Sequence, residues 1–446
     1  MKIAIVGGGV GGLSAARGLL AAGHDVRVIE AGPRAGGVIG TSVVEGYLRE
    51  HAASSFLGGP PHGALGLCQE LGVAVEKAAP AAKRRYIFID GKLRALPGGP
   101  LAFVRSDLLT WRGKLDLLKE PFIASHRVVG EDESMYAFAA RRLGPQAARA
   151  IIAPFVTGVF AADAHDVSLE AGFPRLAALE ANGGLVRGMI KQQLRAMVAK
   201  RRGSAAPSTP RGLYAPVGGL GAMIEALAKA LGPKLSLATP VRAIEPSGDG
   251  LVIDRERYDG CVLAVPATEA VGLVGALPEL AGKLARFERS PVAQVYLGVP
   301  EASVPRAKDG FGFLVALGEE LRVLGVVFES TVWPGRAPAG HTLLRCIFGG
   351  GRDPEAATFD DATLIAHAVK DVGRAFDTTI TPSHASVVRW AKGLPRYPVG
   401  HRDHVRDASA VARGHRIVLA GADYRGAGVN DLCSDAGAIV AEVGAW

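Results

Sequence analysis

Gly7, Gly9 and Gly12 stand at the spacing with which a backbone turn holds a pyrophosphate, and Glu30 follows eighteen positions beyond Gly12. The first glycine permits the tight turn, the second lets the backbone approach the phosphates, and the third lets a helix pack closely on a strand. Lys2 to Val6 reads as that strand, Leu13 to Ala22 as the amphipathic helix, and Asp25 to Glu30 as a second strand ending in an acid. Free N–H groups and the positive dipole end of the helix then face the anion. A carboxylate at Glu30 accepts hydrogen bonds from both hydroxyls of an unphosphorylated ribose. A second loop follows at once, with Arg34, Gly36 and Gly37. A fold for NAD alone has no use for it, whereas FAD requires a second loop past its pyrophosphate and flavin. The cofactor expected is FAD.

The C-terminus carries a matching element. His415 to Asp423 reads as a strand broken by Gly421, and Gly428-Val429 opens the last helix, so N–H groups again stand at a turn that faces a flavin. First and last segments are expected to build one discontinuous domain. Between them no Ser/His/Asp set and no paired carboxylates appear, so no catalytic side chain is assigned. His51, His384, His401 and His404 read as structural or solvent-facing. Cys68, Cys261, Cys346 and Cys433 are scattered without metal-type spacing and read as reduced thiols in a cytoplasmic protein, with neither disulfide nor metal. No Cys or His sits in a context suggesting a covalent flavin link, so the FAD is expected to be non-covalent.

At 446 residues with 48% hydrophobic content, the chain supports two or three domains with sizeable cores. No apolar run approaches the roughly twenty residues of a membrane-spanning helix, and no signal peptide precedes the first strand. The formal charge of +8 favours anionic partners. Basic residues do not interleave with aromatics as in a nucleic-acid module, which argues against nucleic acid. Two basic clusters stand out, Lys83-Arg84-Arg85 before an apolar strand and Lys200-Arg201-Arg202 before a Gly/Ser/Pro loop at 203–210.

The pattern along the chain gives an α/β class: a discontinuous Rossmann-like FAD-binding domain (1–75, 222–285, 386–446), a mixed β-sheet substrate domain (76–100, 203–221, 286–385) and a helical lobe (101–202). Helices are expected at Met135 to Arg142, Gly183 to Lys200, Leu220 to Leu231 and Asp361 to Phe376. Strands are expected at Val241 to Ile244, Val292 to Val299, Gly312 to Leu317, Leu321 to Phe328, Thr342 to Phe348 and Ser386 to Trp390.

Nearly the full length resembles the oxygen-dependent, FAD-containing protoporphyrinogen oxidases of the amine oxidase and phytoene desaturase superfamily. The N-terminal motif is common to that superfamily. Narrower matches are Lys83-Arg-Arg-Tyr86 with Leu96-Pro97, Ala153-Pro-Phe-Val-Thr-Gly158-Val-Phe-Ala-Ala-Asp163, Gly310-Phe-Gly-Phe-Leu314, Phe348-Gly-Gly350, Arg389-Trp390 and Gly400-His401. The resemblance implies oxidation of protoporphyrinogen IX to protoporphyrin IX in heme synthesis, with O2 as acceptor and H2O2 as product. In that chemistry the flavin carries the redox step and the protein supplies orientation and electrostatics.

By the same resemblance Arg85 pairs with a substrate propionate, with Arg84 as the alternative. Gly158 offers its carbonyl to the pyrrole N–H groups, and Leu314, Val327 and Ile347 sandwich the rings. Val241 meets the adenine and Trp390 lies near the flavin. Ala162 departs from the family, where glycine often precedes the aspartate, so the loop after Gly158 is expected to take its own path. The helical lobe is implied to meet a membrane peripherally, on the inner face, and a homodimer is left open. Coproporphyrinogen III as substrate, and another amine oxidase or desaturase activity, are the alternatives; an amine oxidase would show an aromatic cage, for which only Tyr424 is available near Gly421. A flavin-free carrier reading conflicts with the intact glycine turn.

Overall fold

The computed structural model describes residues 1–124, 131–201, 210–304, 307 and 309–446. Residues 203–209 of the loop expected after the second basic cluster lie outside these. The chain divides into two compact units, Met1–Ala78 with Thr209–Arg289 and Arg402–Trp446, and Ala79–Ser208 with Ser290–His401.

The first unit is built on five parallel strands. Leu235–Ser236, Asp25–Ile29, Lys2–Val6, Gly260–Leu263 and Ile417–Leu419 lie side by side in that order. Strands of a parallel sheet bury both faces and read as continuous apolar runs, as Ile3-Ala4-Ile5-Val6 does. Ile3 and Ile5 pack under the helix Val10–Ala21, while Ala4 and Val6 belong to the opposite core with Leu263 and Leu280. Small residues along the first helix let the last one, Ala436–Gly444, come close: a Cβ added at Gly18 would stand 3.2 Å from Val440. The last strand adds beside Gly260–Leu263, so the two chain ends share one sheet, in line with the discontinuous Rossmann-like domain.

The second unit holds a seven-stranded mixed sheet, in the order His384–Pro395, Arg289–Pro300, His341–Gly349, Gly325–Phe328, Gly312–Val315, Tyr86–Ile89, Lys92–Ala95. Side chains alternate across it. Phe313, Val326, Phe328, Leu344, Cys346 and Val295 point to the face covered by the helix Asp361–Phe376 through Leu364, Ala368, Val372 and Phe376. Asp360 caps that helix by accepting the Thr363 N–H at 2.7 Å. Removing Leu364 to the β-carbon would cost about 2–5 kcal/mol.

The other face meets helices. Ile87, Ile89 and Ala316 pack with Leu108, Leu109, Ala147 and Ala150. Within this helical part Arg142, fully buried, is held between Glu120 and Glu180. Glu120 also accepts the N–H groups of Leu185 at 2.7 Å and Val186 at 3.1 Å, fixing the start of the helix Leu185–Arg201. Hydrogen bonds and Arg142 hold the Glu120 carboxyl below its ordinary value despite burial.

The domain division expected from the sequence differs from this arrangement in several places. Residues 386–401, expected with the FAD-binding domain, belong to the second unit, 386–395 in the edge strand of the mixed sheet next to Arg289–Pro300, while the short stretches 76–78 and 286–289, expected with the substrate domain, belong to the first. Residues 210–221, expected with the substrate domain, belong to the first unit, where Leu213–Pro216 pairs with Phe56–Leu57 and Val75–Lys77. The helical segment shares one unit with the mixed sheet, because its helices pack on the sheet's second face through Leu108, Leu109, Ala147 and Ala150. Alternation along a strand sets which face is buried and leaves the pairing partner open. At finer scale, the strand expected at Val241 to Ile244 begins only at Ile244, and that at Leu321 to Phe328 only at Gly325. The last helix divides into Val429–Ser434 and Ala436–Gly444.

Candidate functional site

The glycine turn of the first unit has the shape the sequence implies. A Cβ at Gly12 would fall 2.1 Å from the carbonyl oxygen of Gly7, so only glycine lets this helix sit on the strand. Gly9 differs: nothing lies within 4 Å of where its Cβ would be. Gly9 also precedes the helix Val10–Ala21, whose start has neither a side-chain cap nor an acid in its first turn. Open space therefore fronts the N–H groups of a helix start that carries no anion of its own. An FAD pyrophosphate fits that cradle.

The neighbouring loop is fastened to this turn. Gly36 donates its N–H to the Gly8 carbonyl at 2.7 Å, and Gly9 and Gly36 form an isolated bridge. Arg34, expected as a direct cofactor contact, is committed to its own loop. Its guanidinium donates to the carbonyls of Ile39 and Gly37, both at 2.8 Å, and of Ala35 at 3.2 Å. It shapes the loop that carries Gly36 and Gly37. Glu30 stands at the end of the second strand and accepts the N–H groups of Gly8 at 2.6 Å and Gly32 at 2.7 Å, one on each oxygen. A carboxylate has about four acceptor positions, so two remain for ribose hydroxyls. Val241 lies just after Ala238 and Thr239, whose N–H groups donate to the carbonyls of Gly32 and Glu30, which sets that segment alongside the acid.

The C-terminal element reaches the same turn. Gly421 lies against Gly11, whose added Cβ would stand 3.5 Å from the Gly421 Cα. Gly428 precedes the helix Val429–Ser434, and the Val429 side chain is buried in the core, leaving its backbone for any cofactor contact. Sequence reasoning passed over Glu50. It is fully buried, accepts the Thr41 hydroxyl at 2.6 Å and the Leu220 N–H at 3.1 Å, and so holds the start of the helix Gly221–Leu231. That helix supplies Ile224, packed 2.8 Å from the Cβ position of Gly36. Its only trace in the sequence is an acid at an inward strand position.

The second unit assembles the other expected residues. Leu314, Gly325 and Ile347 are direct cross-strand neighbours, and Val327 sits one pleat away opposite Gly312. All point away from the face covered by the helix Asp361–Phe376. Leu314 and Ile347 are half-buried and Val327 is 9% exposed, so they form an apolar ledge. The helix Ala153–Phe160 descends onto it at Gly158, where an added Cβ would stand 2.6 Å from Leu314 Cδ2. The loop after it turns through Ala161, a non-glycine residue at φ 47°, whose carbonyl accepts the Gly351 N–H at 2.7 Å.

Arg84 and Arg85 differ in a way the sequence did not reveal. Arg84 is paired with Asp309. Arg85 is exposed at the start of Tyr86–Ile89, the strand parallel to Gly312–Val315, with its guanidinium 5.3 Å from the Phe311 ring. No ion pair to Arg85 is present among the described residues.

Trp390 is half-buried on His384–Pro395, in the second unit, with Gly393 packed near its Cβ. The first unit therefore holds the other expected cofactor residues without it. Tyr424 makes no cage: it is buried against Phe287, ring centroids 5.2 Å apart. His51 bonds Ser42 at 3.2 Å, and burial beside Arg34 and Arg49 pushes its pKa down. The four cysteines are free and buried, and burial pushes Cys433 up to about 12. Among the described residues no group of His, Cys, Asp or Glu could hold a metal, and no helix is long and apolar enough to cross a membrane.

Comparison with known proteins gives a consistent result. The family model described as flavin containing amine oxidoreductase matches residues 10–442. A coproporphyrinogen III oxidase of Mycobacterium leprae is 31% identical over 450 residues, covering 97% of this chain and 96% of that protein. A coproporphyrinogen III oxidase of Bacillus subtilis is 27% identical over 468 residues, covering 98% and 96%. The chloroplastic protoporphyrinogen oxidase 1 of Spinacia oleracea is 28% identical over 451 residues, covering 94% and 80%. In fold, the chain superposes with a TM-score of 0.82 on an Exiguobacterium structure provisionally named a protoporphyrinogen oxidase, at 24% identity and covering 99% and 98%.

Proposed function

We propose that this chain, which belongs to the flavin containing amine oxidoreductase family, is an FAD-dependent porphyrinogen oxidase of heme synthesis. It takes protoporphyrinogen IX to protoporphyrin IX, a six-electron oxidation with O2 as acceptor and H2O2 as product. Relatives that match over nearly the whole chain bear the names of such oxidases. The observation that carries the reading is the ledge: Leu314, Val327 and Ile347 share one sheet face opposite a filled core, with Gly158 over Leu314 and the buried Arg345 and Gln294 as their polar neighbours on that face, and Arg85 starts the strand beside Gly312–Val315.

The residues divide the work by chemistry. The ledge takes one face of the flexible macrocycle and excludes water from it. Gly158 brings a backbone carbonyl where a side chain would collide with Leu314, and that carbonyl accepts pyrrole N–H groups. Arg85 holds a propionate by charge-assisted hydrogen bonds. Gly7 to Gly12 hold the FAD pyrophosphate and Glu30 its ribose. Bound non-covalently there, FAD supplies the electron acceptor that no side chain provides. The reacting carbons need orientation rather than a strong base.

Coproporphyrinogen III is a second substrate reading, favoured by the names of the bacterial relatives. The test is turnover of both porphyrinogens side by side under air, followed by porphyrin fluorescence. Faster turnover of one assigns the substrate; background rates for both would refute the function. Peripheral contact with an anionic bilayer is also proposed. Phe122, Leu118, Trp111 and Leu101 are 81%, 70%, 67% and 64% exposed in the helical part, and a basic chain supplies the attraction.

A further inference from the structure

We propose that Asp423 is a positioning residue for the FAD cradle, tying the Gly421 turn to the turn that backs Gly7. Asp423 is 2% exposed. Its Oδ2 accepts the N–H of Ala267 at 2.8 Å, across 156 residues of sequence. Its Oδ1 stands 3.4 Å from the Nε of Arg289, whose side chain is 7% exposed.

The two segments so joined both touch the glycine turn. Ala264, three residues before Ala267, is the wall behind Gly7: an added Cβ there would meet the Ala264 carbonyl oxygen at 2.8 Å. The Cβ position of Gly12 is 3.1 Å from that of Ala264, and the Cβ position of Gly421 is 3.7 Å from the Ala264 oxygen. Gly421, two residues before Asp423, touches Gly11. Ala264, Gly11 and Gly421 thus come together, and the Asp423 carboxyl links the segments that carry Gly421 and Ala264 through its bond to Ala267. Burial pushes the Asp423 carboxyl up while Arg289 and the Ala267 N–H hold it down. An acid kept in such a place acts through geometry: it adds a side-chain tie between the Gly421 and Ala264 segments beyond the strand ladder and the backbone contact beside it.

This inference rests on the reading of the first unit as the FAD domain. The experiment measures the FAD dissociation constant of deflavinated protein by flavin fluorescence, together with the thermal midpoint of the apoprotein. Wild type is compared with Asp423→Ala, Asp423→Asn and Leu280→Ala. Leu280 is fully buried in the core of the same unit, so its variant reports a loss of stability alone. The expected result is a rise in Kd of roughly ten- to a hundredfold for Asp423→Ala, the range of a lost supporting partner. Asp423→Asn, which keeps an acceptor for Ala267, restores most of it. Leu280→Ala lowers the midpoint with little change in Kd. An Asp423→Ala Kd within threefold of wild type, or one that rises only as far as in Leu280→Ala at equal loss of midpoint, overturns the inference. If Asp423→Ala does not fold, Ala267→Pro carries the test with the same expectation, since proline at a first helical position deletes the donor and little else. A wild-type apoprotein that takes up no FAD would instead overturn the cofactor reading.

Discussion

Arg85→Ala separates substrate holding from chemistry at the ledge. Arg85 lies at the start of the strand next to Gly312–Val315, exposed and without an ion pair among the described residues, while Arg84 is engaged by Asp309. The neighbouring arginine already faces a carboxylate, whereas among the described residues Arg85 does not. A charge-assisted hydrogen bond contributes about 1.5–3 kcal/mol, and each 1.36 kcal/mol is about a factor of ten in rate. The loss in kcat/KM is then roughly ten- to two-hundredfold. Because Arg85 is exposed, water competes for the guanidinium and the lower half of that range is expected. A propionate is remote from the reacting meso carbons, so the loss falls mainly on KM, with a smaller fall in kcat from looser orientation. The assay is initial-rate porphyrin fluorescence over a range of porphyrinogen concentrations, with bound flavin checked by absorbance. Unchanged KM with full flavin would refute the assignment, as would an equal loss in Arg84→Ala.

Other outcomes follow from the same geometry. Ile347→Asp puts a carboxylate on the ledge beside Gly325 and Leu314 and should abolish most turnover while FAD content by absorbance stays at wild-type level. Ala161→Gly relieves a left-handed alanine; the relief of about 1–2 kcal/mol, less roughly 0.5–1 kcal/mol for glycine's flexibility, predicts a slightly higher thermal midpoint, and a lower one would contradict it. Asp371 is buried and accepts the N–H groups of Arg322 and Val323, both at 2.9 Å, yet burial raises its pKa. A raised carboxyl favours folding below its unfolded pKa and loses that advantage as pH rises through the raised value. Asp371→Asn should therefore gain on wild type in thermal midpoint from pH 4 to pH 7, and a difference independent of pH would count against the raised pKa. Anionic vesicles should sediment more of the protein than neutral ones at low salt; equal sedimentation would remove the electrostatic part of the membrane proposal.

What was legible in the sequence was local. Gly7 to Gly12, Glu30 and the helix Asp361–Phe376 are set by spacing and capping within a few residues, and they stand where the sequence places them. Leu314, Val327 and Ile347 are ordinary strand residues whose role came from resemblance; their common face became visible only through register. Glu50 and Asp423 were missed because their partners, Leu220 and Ala267, are 170 and 156 residues away. The bonds of Arg34 to the carbonyls of its own loop were not legible, because they depend on how the loop closes. Residues 386–395 were expected with the other unit for a related reason, since the alternation of their strand names no partner.

The most direct test of the account is aerobic turnover by FAD-loaded protein, measured as porphyrin fluorescence and H2O2 together. The account predicts porphyrin from at least one of protoporphyrinogen IX and coproporphyrinogen III well above autoxidation, with three H2O2 per porphyrin and suppression by Ile347→Asp. Fully flavin-loaded protein that leaves both porphyrinogens at the autoxidation rate would contradict it.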